Sequence, residues 1–295
     1  MDTQSTAYRA TSSPFPALRL KEVSFAYPQS QSAGVERESA LEGISLDIQQ
    51  GEYVALLGHN GSGKSTIARL LNALLLPAEG QVLVSGLDTA DPRHRRKIRE
   101  LVGMIFSDPD NQIIATVVED DVAWALAARG WPLSEIAARV DQSLEAVGLT
   151  SARRRSPHEL SGGQRQRLAI ASVLALAPMC VVADEPTALL DPRARRDMTG
   201  LLRELNRERG LTIVHVTHLL EEAALADRIV ILENGHIALE GTPEAVFLQL
   251  DALRELRLVI PELAELAQRL RLAGIPIPPT ALTPAEIVSA LESER

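Results

Sequence analysis

Hydrophobic and polar positions change period several times along the chain, and each change predicts an element. Residues 18–27 and 44–48 alternate apolar and polar side chains, as half-buried strands do. Between them runs a polar loop, PQSQSAGVERES. Tyr53–Leu57 is a short unbroken apolar run, the mark of a strand covered on both faces, and it leads directly into Gly58. A helix is expected over residues 65–75, stopping before Pro77. Residues 82–84 read as a strand. Asp91-Pro92 reads as an N-cap with proline at the first helical position, opening the basic helix RHRRKIREL. Residues 117–149 predict two amphipathic helices divided by Gly130 and Pro132, with Ser134 capping the second and Gly148 following it.

Residues 168–183 read as the end of a helix, a turn at Pro178 and a buried strand around Val181-Val182. A helix from Asp191-Pro192 to Gly210 leads to a second buried strand at 213–216. Strand, helix, strand implies a parallel pair with a right-handed crossover. Asn234-Gly235, flanked by apolar runs, is a strong hairpin signal. Past residue 250 the chain turns helical again, with PELAELAQRLRLAG and a capping box at Thr283–Glu286. No repeat of solenoid length is evident. The expected architecture is α/β: a core with an antiparallel β subdomain over residues 18–248, a helical insertion at about 108–165, and a small C-terminal helical extension over 249–295. Residues 1–17 read as a disordered leader, without the basic-then-apolar order of a signal peptide.

Composition narrows the function classes. With 295 residues, 45% of them hydrophobic, the chain can bury one large core or two modest ones, and 3% aromatics make that core aliphatic. A net charge of -9 argues against a general nucleic-acid binder. The single cysteine, Cys180, excludes a disulfide framework and suits a reducing compartment. The longest apolar stretch is interrupted at Ser172 and Pro178, too short to span a bilayer, so a membrane role would run through a partner.

Three stretches carry chemistry. GHNGSGKST, residues 58–66, fits a phosphate-binding loop. Its glycines let backbone N–H groups turn inward around a β-phosphate, with Gly58, Asn60, Gly61, Ser62, Gly63 and Thr66 forming the cradle. Lys64 would reach the β- and γ-phosphates, Ser65 would give its hydroxyl to Mg²⁺, and the following helix points its positive end at the anion. MCVVADE, residues 179–185, is an apolar strand ending in two carboxylates. Alone this is an acidic helix cap. Beside a phosphate loop, Asp184 takes the role of Mg²⁺ holder and Glu185 that of proton acceptor from the attacking water. LSGGQRQR, residues 160–167, joins a serine, two glycines and a helix start into a second anion site.

In their chain order, phosphate loop, then residues 160–167, then the Asp-Glu strand end, the three stretches resemble the ATP-binding subunits of ABC transporters, over roughly residues 18–245. The resemblance implies that Ser161, Gly162, Gly163 and Gln164 face the γ-phosphate of ATP held by a second ATPase subunit, so one chain does not complete its own site. It further implies that Tyr27 stacks on adenine, that Asp191 in TALLD lies in the loop crossing the dimer interface, and that His218, at the end of IVHVT, contacts the γ-phosphate. His215 in the same strand reads as structural. No long coiled coil of a DNA-repair ATPase and no second cassette of a translation factor is evident, so the resemblance favours a transporter motor, with a soluble ABC ATPase acting on ribosome or DNA as the alternative. Amino-acid importers and lipoprotein exporters are the other transporter types. PDNQIIATVVEDDVAWAL, the turn GTPEAVF and the helical tail resemble the ATPases of energy-coupling factor (ECF) transporters. Those import vitamins or metal ions through a transmembrane coupling subunit and a small substrate-binding membrane protein. The expected partners are therefore these two and a second ATPase, and the expected place is the cytoplasmic face of the membrane. One departure stands out. In IFSDPDNQ, residues 105–112, Ser107 occupies the position where the family carries a glutamine that touches Mg²⁺ and water. Asp110 and Gln112 are expected on the face that meets the coupling subunit.

Overall fold

The strands written as unbroken apolar runs form the wall between two cores. A computed structural model describes residues 16–28 and 39–292. Most of the expected leader, residues 1–15, and most of the polar loop, residues 29–38, lie outside it. In chain order the elements are β1 (Leu18–Ala26), β2 (Ser39–Ile48), β3 (Tyr53–Leu57), α1 (Lys64–Leu71), β4 (Glu79–Val84), β5 (Leu87–Asp88), α2 (Arg95–Leu101) and β6 (Val102–Ile105). Then come α3 (Val118–Ala127), α4 (Leu133–Ala146), α5 (Gly162–Leu174), β7 (Cys180–Asp184), α6 (Pro192–Arg209), β8 (Thr212–Val216) and α7 (Leu220–Ala223). β9 (Arg228–Glu233), β10 (His236–Gly241), α8 (Pro243–Phe247), α9 (Leu250–Glu255), α10 (Glu262–Leu272) and α11 (Pro284–Glu292) complete the chain.

A six-stranded sheet runs in the order β10-β9-β3-β8-β7-β6, with only β10 antiparallel to its neighbour. Every residue of β3, β7 and β8 is buried, as a parallel sheet covered on both faces requires. Successive side chains point to opposite faces. Tyr53, Ala55 and Leu57 join one core with Val181, Ala183, Ile213, Ile229 and Ile231, against helices α3 to α9. Val54 and Leu56 join the other with Cys180, Val182, Val214, Val216, Val230 and Leu232, against α1, α2 and the antiparallel sheet β2-β1-β4-β5. A third, small cluster of Ala267, Ile277, Ala281 and Ile287 holds α10 to α11.

Several local expectations need correction. Asp91-Pro92 does not open a helix: α2 begins at Arg95, and the Asp91 carboxylate accepts from the Arg93 N–H at 2.9 Å and pairs with the Arg93 guanidinium in a separate turn before it. Ser134 does not cap α4. Pro132 holds the N-cap position in an extended conformation, and its carbonyl accepts from the N–H groups of Glu135 and Ile136. α1 ends at Leu71, four residues early, where Ala73 turns left-handed. β2 is longer than its alternating part. The other boundaries follow the pattern: Asp191 caps α6 and Gly210 closes it at φ 63°, and Thr283 and Glu286 form the reciprocal cap of α11.

Candidate functional site

Four neighbouring parallel strands, β3, β8, β7 and β6, end along one edge of the sheet, the place where open α/β sheets bind ligands. Gly58 follows β3, Thr217 and His218 follow β8, Glu185 follows β7, and Phe106 and Ser107 follow β6. The register aligns Leu56 with Val216, and Val216 with Asp184. Residues far apart in sequence are thereby brought to one edge.

The phosphate loop is built on backbone that only glycine tolerates. Gly58 and Gly63 have φ of 149° and 103°, and a Cβ at Gly63 would lie 2.5 Å from Leu41 Cδ2 and 2.7 Å from the Ala40 carbonyl oxygen. Gly63 caps α1 without any side-chain hydrogen bond, so the first N–H groups of the helix keep their donors free of side-chain acceptors. Lys64 is buried. Its Nζ donates to the carbonyls of Gly58 and His59, both at 2.8 Å, which uses two of its three N–H groups. Burial pushes the Lys64 pKa down, against the opposing pull of Glu185 and Asp184. Ser65 Oγ donates to Asp184 Oδ1 at 2.8 Å, placing a hydroxyl and a carboxylate at one point. Burial pushes the Asp184 pKa up, and the Ser65 hydrogen bond only partly offsets it.

This donor set fits a hard divalent cation. Mg²⁺ takes one or two protein oxygens and completes its shell with water and phosphate, and a cation there would favour the ionised Asp184 that burial disfavours. Among the described residues no group of three or more His, Cys, Asp and Glu side chains could hold a metal alone. Ser107 is exposed at the adjacent strand end, with no hydrogen bond to Asp184 or Ser65 among the described residues.

Glu185 sits in the left-handed region at φ 48°, a conformation costing a non-glycine residue about 1–3 kcal/mol and commonest at functional sites. Its N–H is held by the Val216 carbonyl at 3.0 Å, and its Oε2 lies 3.4 Å from His218 Nδ1. The two expected reaction residues are thus in contact. Tyr27 is half-exposed, edge-on to Phe25, with its hydroxyl 3.1 Å from Thr66 Oγ1. That places its ring beside the start of α1. His215 is fully buried, 3.0 Å from the Tyr53 hydroxyl, as a structural histidine should be.

The second expected anion site, the family's signature residues Ser161, Gly162, Gly163 and Gln164, lies elsewhere. Ser161 caps α5: its Oγ accepts from the Gln164 N–H at 3.3 Å, and Gln164 Oε1 accepts from the Ser161 N–H at 3.0 Å. No hydrogen bond joins residues 161–164 to the phosphate loop among the described residues. A Cβ on Gly162 would meet nothing nearer than Leu190 Cδ2 at 3.8 Å, and one on Gly163 would meet Ala194 Cβ at 3.3 Å. Asp191 accepts from the N–H groups of Arg193 and Ala194, and these bonds hold its carboxyl below the usual range.

Gln112, partly exposed, bonds back to its own chain: Nε2 donates to the Met104 and Ala169 carbonyls and Oε1 accepts from the Phe106 N–H. A 3₁₀ turn at Pro109–Asn111 precedes it, capped by Asp108, whose side chain accepts from the Asp110 N–H. Asp110 is exposed and lies 3.2 Å from Arg165 Nε. Two buried side chains escaped the sequence reading. Gln166 donates to the Phe106 carbonyl at 2.9 Å, and Asp121 accepts from Ile114, Ala115 and Ser172. Their signal was a polar residue on the apolar face of a predicted helix.

Comparison with known proteins decides the family. The sequence profile described as ABC transporter matches residues 41–188. The energy-coupling factor transporter ATP-binding protein EcfA1 of Symbiobacterium thermophilum is 51% identical over 277 residues, 94% of this chain and 96% of that protein. The chain belongs to the ABC transporter ATPases. EcfA1 of Clostridium novyi is 45% identical over 93% of this chain and 97% of its own. Among solved structures, cbiO1 of Clostridium perfringens, described as part of the ABC transporter complex cbiONQ, aligns with a TM-score of 0.73 and 34% identity, covering 86% of this chain and 99% of its own. The ATP-binding cassette MJ0796, in a dimer bound to ADP and Pi, aligns with a TM-score of 0.68 and 33% identity, covering 77% and 98%. As an ABC ATPase of the ECF branch, this chain binds and hydrolyses ATP. Among the described residues no helix is long and apolar enough to cross a membrane.

Proposed function

We propose that this chain powers an ECF-type importer of vitamins or metal ions, as a peripheral subunit on the cytoplasmic face of the membrane. Two ATP molecules are held between two cassettes, each between the phosphate loop of one chain and the signature of the other. The observation that carries this reading is the contrast between two glycine sets. Gly58 and Gly63 are required by their own fold, whereas Gly162 has room for a side chain within this chain. A glycine at the first turn of a helix, where alanine is favoured, is explained by something that approaches from outside.

In this reading Tyr27 stacks on the adenine, and residues 58–66 bind the phosphates. Ser65 and Asp184 hold Mg²⁺, and Ser107, shorter than the family glutamine, reaches it through water. Bound there, Mg²⁺ supplies charge neutralisation between the β- and γ-phosphates. Lys64, His218 and the partner's signature serine stabilise charge on the γ-phosphoryl group, and Glu185 accepts the proton of the attacking water. His218, 3.4 Å away, orients that carboxylate. Asp191 and the extension from residue 249 contribute to the contact with the second ATPase. Asp110 faces the transmembrane coupling subunit, where its exposed carboxylate exchanges Arg165 for an arginine of that subunit. A small substrate-binding membrane protein completes the complex, and no nucleic acid is involved.

The test is affinity purification of the tagged chain from membranes, with identification of what co-elutes. A second ATPase and an integral membrane subunit are expected. Recovery of the chain with ribosomes or DNA, and without a membrane subunit, would overturn the reading.

A further inference from the structure

We propose that Glu222 is a positioning residue for hydrolysis: a buried carboxylate that ties the loop of Glu185 to the segment of His218, so that the two reaction side chains are set by one anchor. Glu222 stands on α7, 6% exposed, and touches no expected ATP contact. Its two oxygens serve two different loops. Oε1 accepts from Thr187 Oγ1 at 2.6 Å, in the loop that runs from Glu185 to Asp191. Oε2 accepts from Thr217 Oγ1 at 2.7 Å, immediately before His218. Both threonines are 2% exposed. The Thr217 hydroxyl also accepts from the Leu219 N–H at 3.1 Å, so it closes the backbone around His218.

The chemistry suits an anchor better than a filler. O–H···O⁻ bonds of this length are charge-assisted and roughly twice as strong as neutral ones. His215 Nε2 lies 3.3 Å from Glu222 Oε2. The other ring nitrogen of His215 meets the Tyr53 hydroxyl, so the anchor reaches the strand that feeds the phosphate loop. Burial pushes the Glu222 pKa up, but the His215, Thr187 and Thr217 contacts outweigh it and hold the carboxyl below the ordinary glutamate value. Glu185 N–H to the Val216 carbonyl, at 3.0 Å, is a second strap between the same two segments. With both in place, the 3.4 Å approach of Glu185 and His218 is fixed from behind. A carboxylate with no direct phosphate contact then matters for turnover and not for ATP capture.

This inference rests on the reading of Glu185 and His218 as the reaction pair, and the experiment separates the two. Glu222→Gln, Thr187→Val, Thr217→Val and the double threonine variant are assayed as full chains in the assembled transporter, with Glu185→Gln in parallel. ATP affinity, kcat and thermal midpoint are measured for each. A displaced reacting group costs up to about 100-fold, so Glu222→Gln is expected to lower kcat by about 10–100-fold while ATP affinity stays within about twofold. The double threonine variant should be no slower than the worse single one, because both act through one anchor. A structural role alone would lower the thermal midpoint without splitting kcat from affinity. Unchanged kcat in Glu222→Gln, loss of ATP affinity in step with kcat, or additive threonine effects would each overturn the proposal. If Glu222→Gln does not fold, the two threonine variants, close in shape to the parent, decide. Full hydrolysis by Glu185→Gln would instead sink the assignment of the pair.

Discussion

The chain has two glycine-rich helix starts that the proposed function assigns to ATP phosphates, and they are built in opposite ways. At α1 the cap is Gly63, left-handed and without a side-chain acceptor, so the first turn is kept open by backbone strain and tight packing against β2. At α5 the cap is Ser161, relaxed, exposed and closed on itself by Gln164. The first site is preorganised inside one chain, surrounded by Lys64, Asp184 and Glu185. The second is satisfied by its own capping box. In the proposed function, geometry is therefore fixed where nucleotide first binds and exchangeable where the second cassette closes, a division that suits a motor holding ATP before its dimer forms.

The largest expected effect exploits the glycine contrast. Gly63→Ala must find room 2.5 Å from Leu41 at a φ of 103°, and strain of this kind, about 1–3 kcal/mol, lowers ATP affinity by about 5–150-fold. Gly162→Ala leaves ATP binding by the isolated chain unchanged, because its Cβ is in ordinary contact. Equilibrium titration with ATP of both variants checks the pair; equal losses would erase the contrast.

A smaller effect lies in the charge held at the first site. Burial raises the pKa of Asp184. The folded state then binds that proton more tightly than the unfolded one, so the ionised form costs stability at neutral pH. Asp184→Asn removes the charge and keeps an acceptor for Ser65. The thermal midpoint of the nucleotide-free protein should rise, while hydrolysis is lost. The gain should shrink as pH falls through the raised pKa, where the parent carboxyl is neutral too. A midpoint lower than the parent's at neutral pH would contradict it.

The smallest effect concerns the departure at Ser107. In the proposed function Ser107→Gln would exchange a water-mediated contact for a direct one, and should lower the Mg²⁺ concentration for half-maximal hydrolysis by about threefold or less. An unchanged Mg²⁺ requirement would remove Ser107 from the metal site.

Sequence reasoning reached the elements whose signal is local. β3, β7 and β8 are written as apolar runs, the Asn234-Gly235 hairpin as a dipeptide, and the phosphate loop as spaced glycines. It failed at Asp91, whose turn on Arg93 precedes α2 without opening it, and at Ser134, where Pro132 holds the N-cap position. The bonds of the Gln112 amide are not legible either, because they are made to the Met104 and Ala169 carbonyls, the latter distant in sequence. Glu222 was invisible for the same reason: its partners lie 5 and 35 residues away, and only the packing of β8 beside β7 unites them.

The central claim is that the ATP site is split, with capture in one chain and completion by another. Ser161→Arg tests it most directly. The residue is exposed, so the substitution costs little more than a helix cap, about 1 kcal/mol. The account predicts unchanged ATP affinity for the isolated chain and a fall in hydrolysis by the assembled transporter of about 100-fold or more. Parallel loss of ATP binding by the isolated chain, or undiminished hydrolysis, would contradict it.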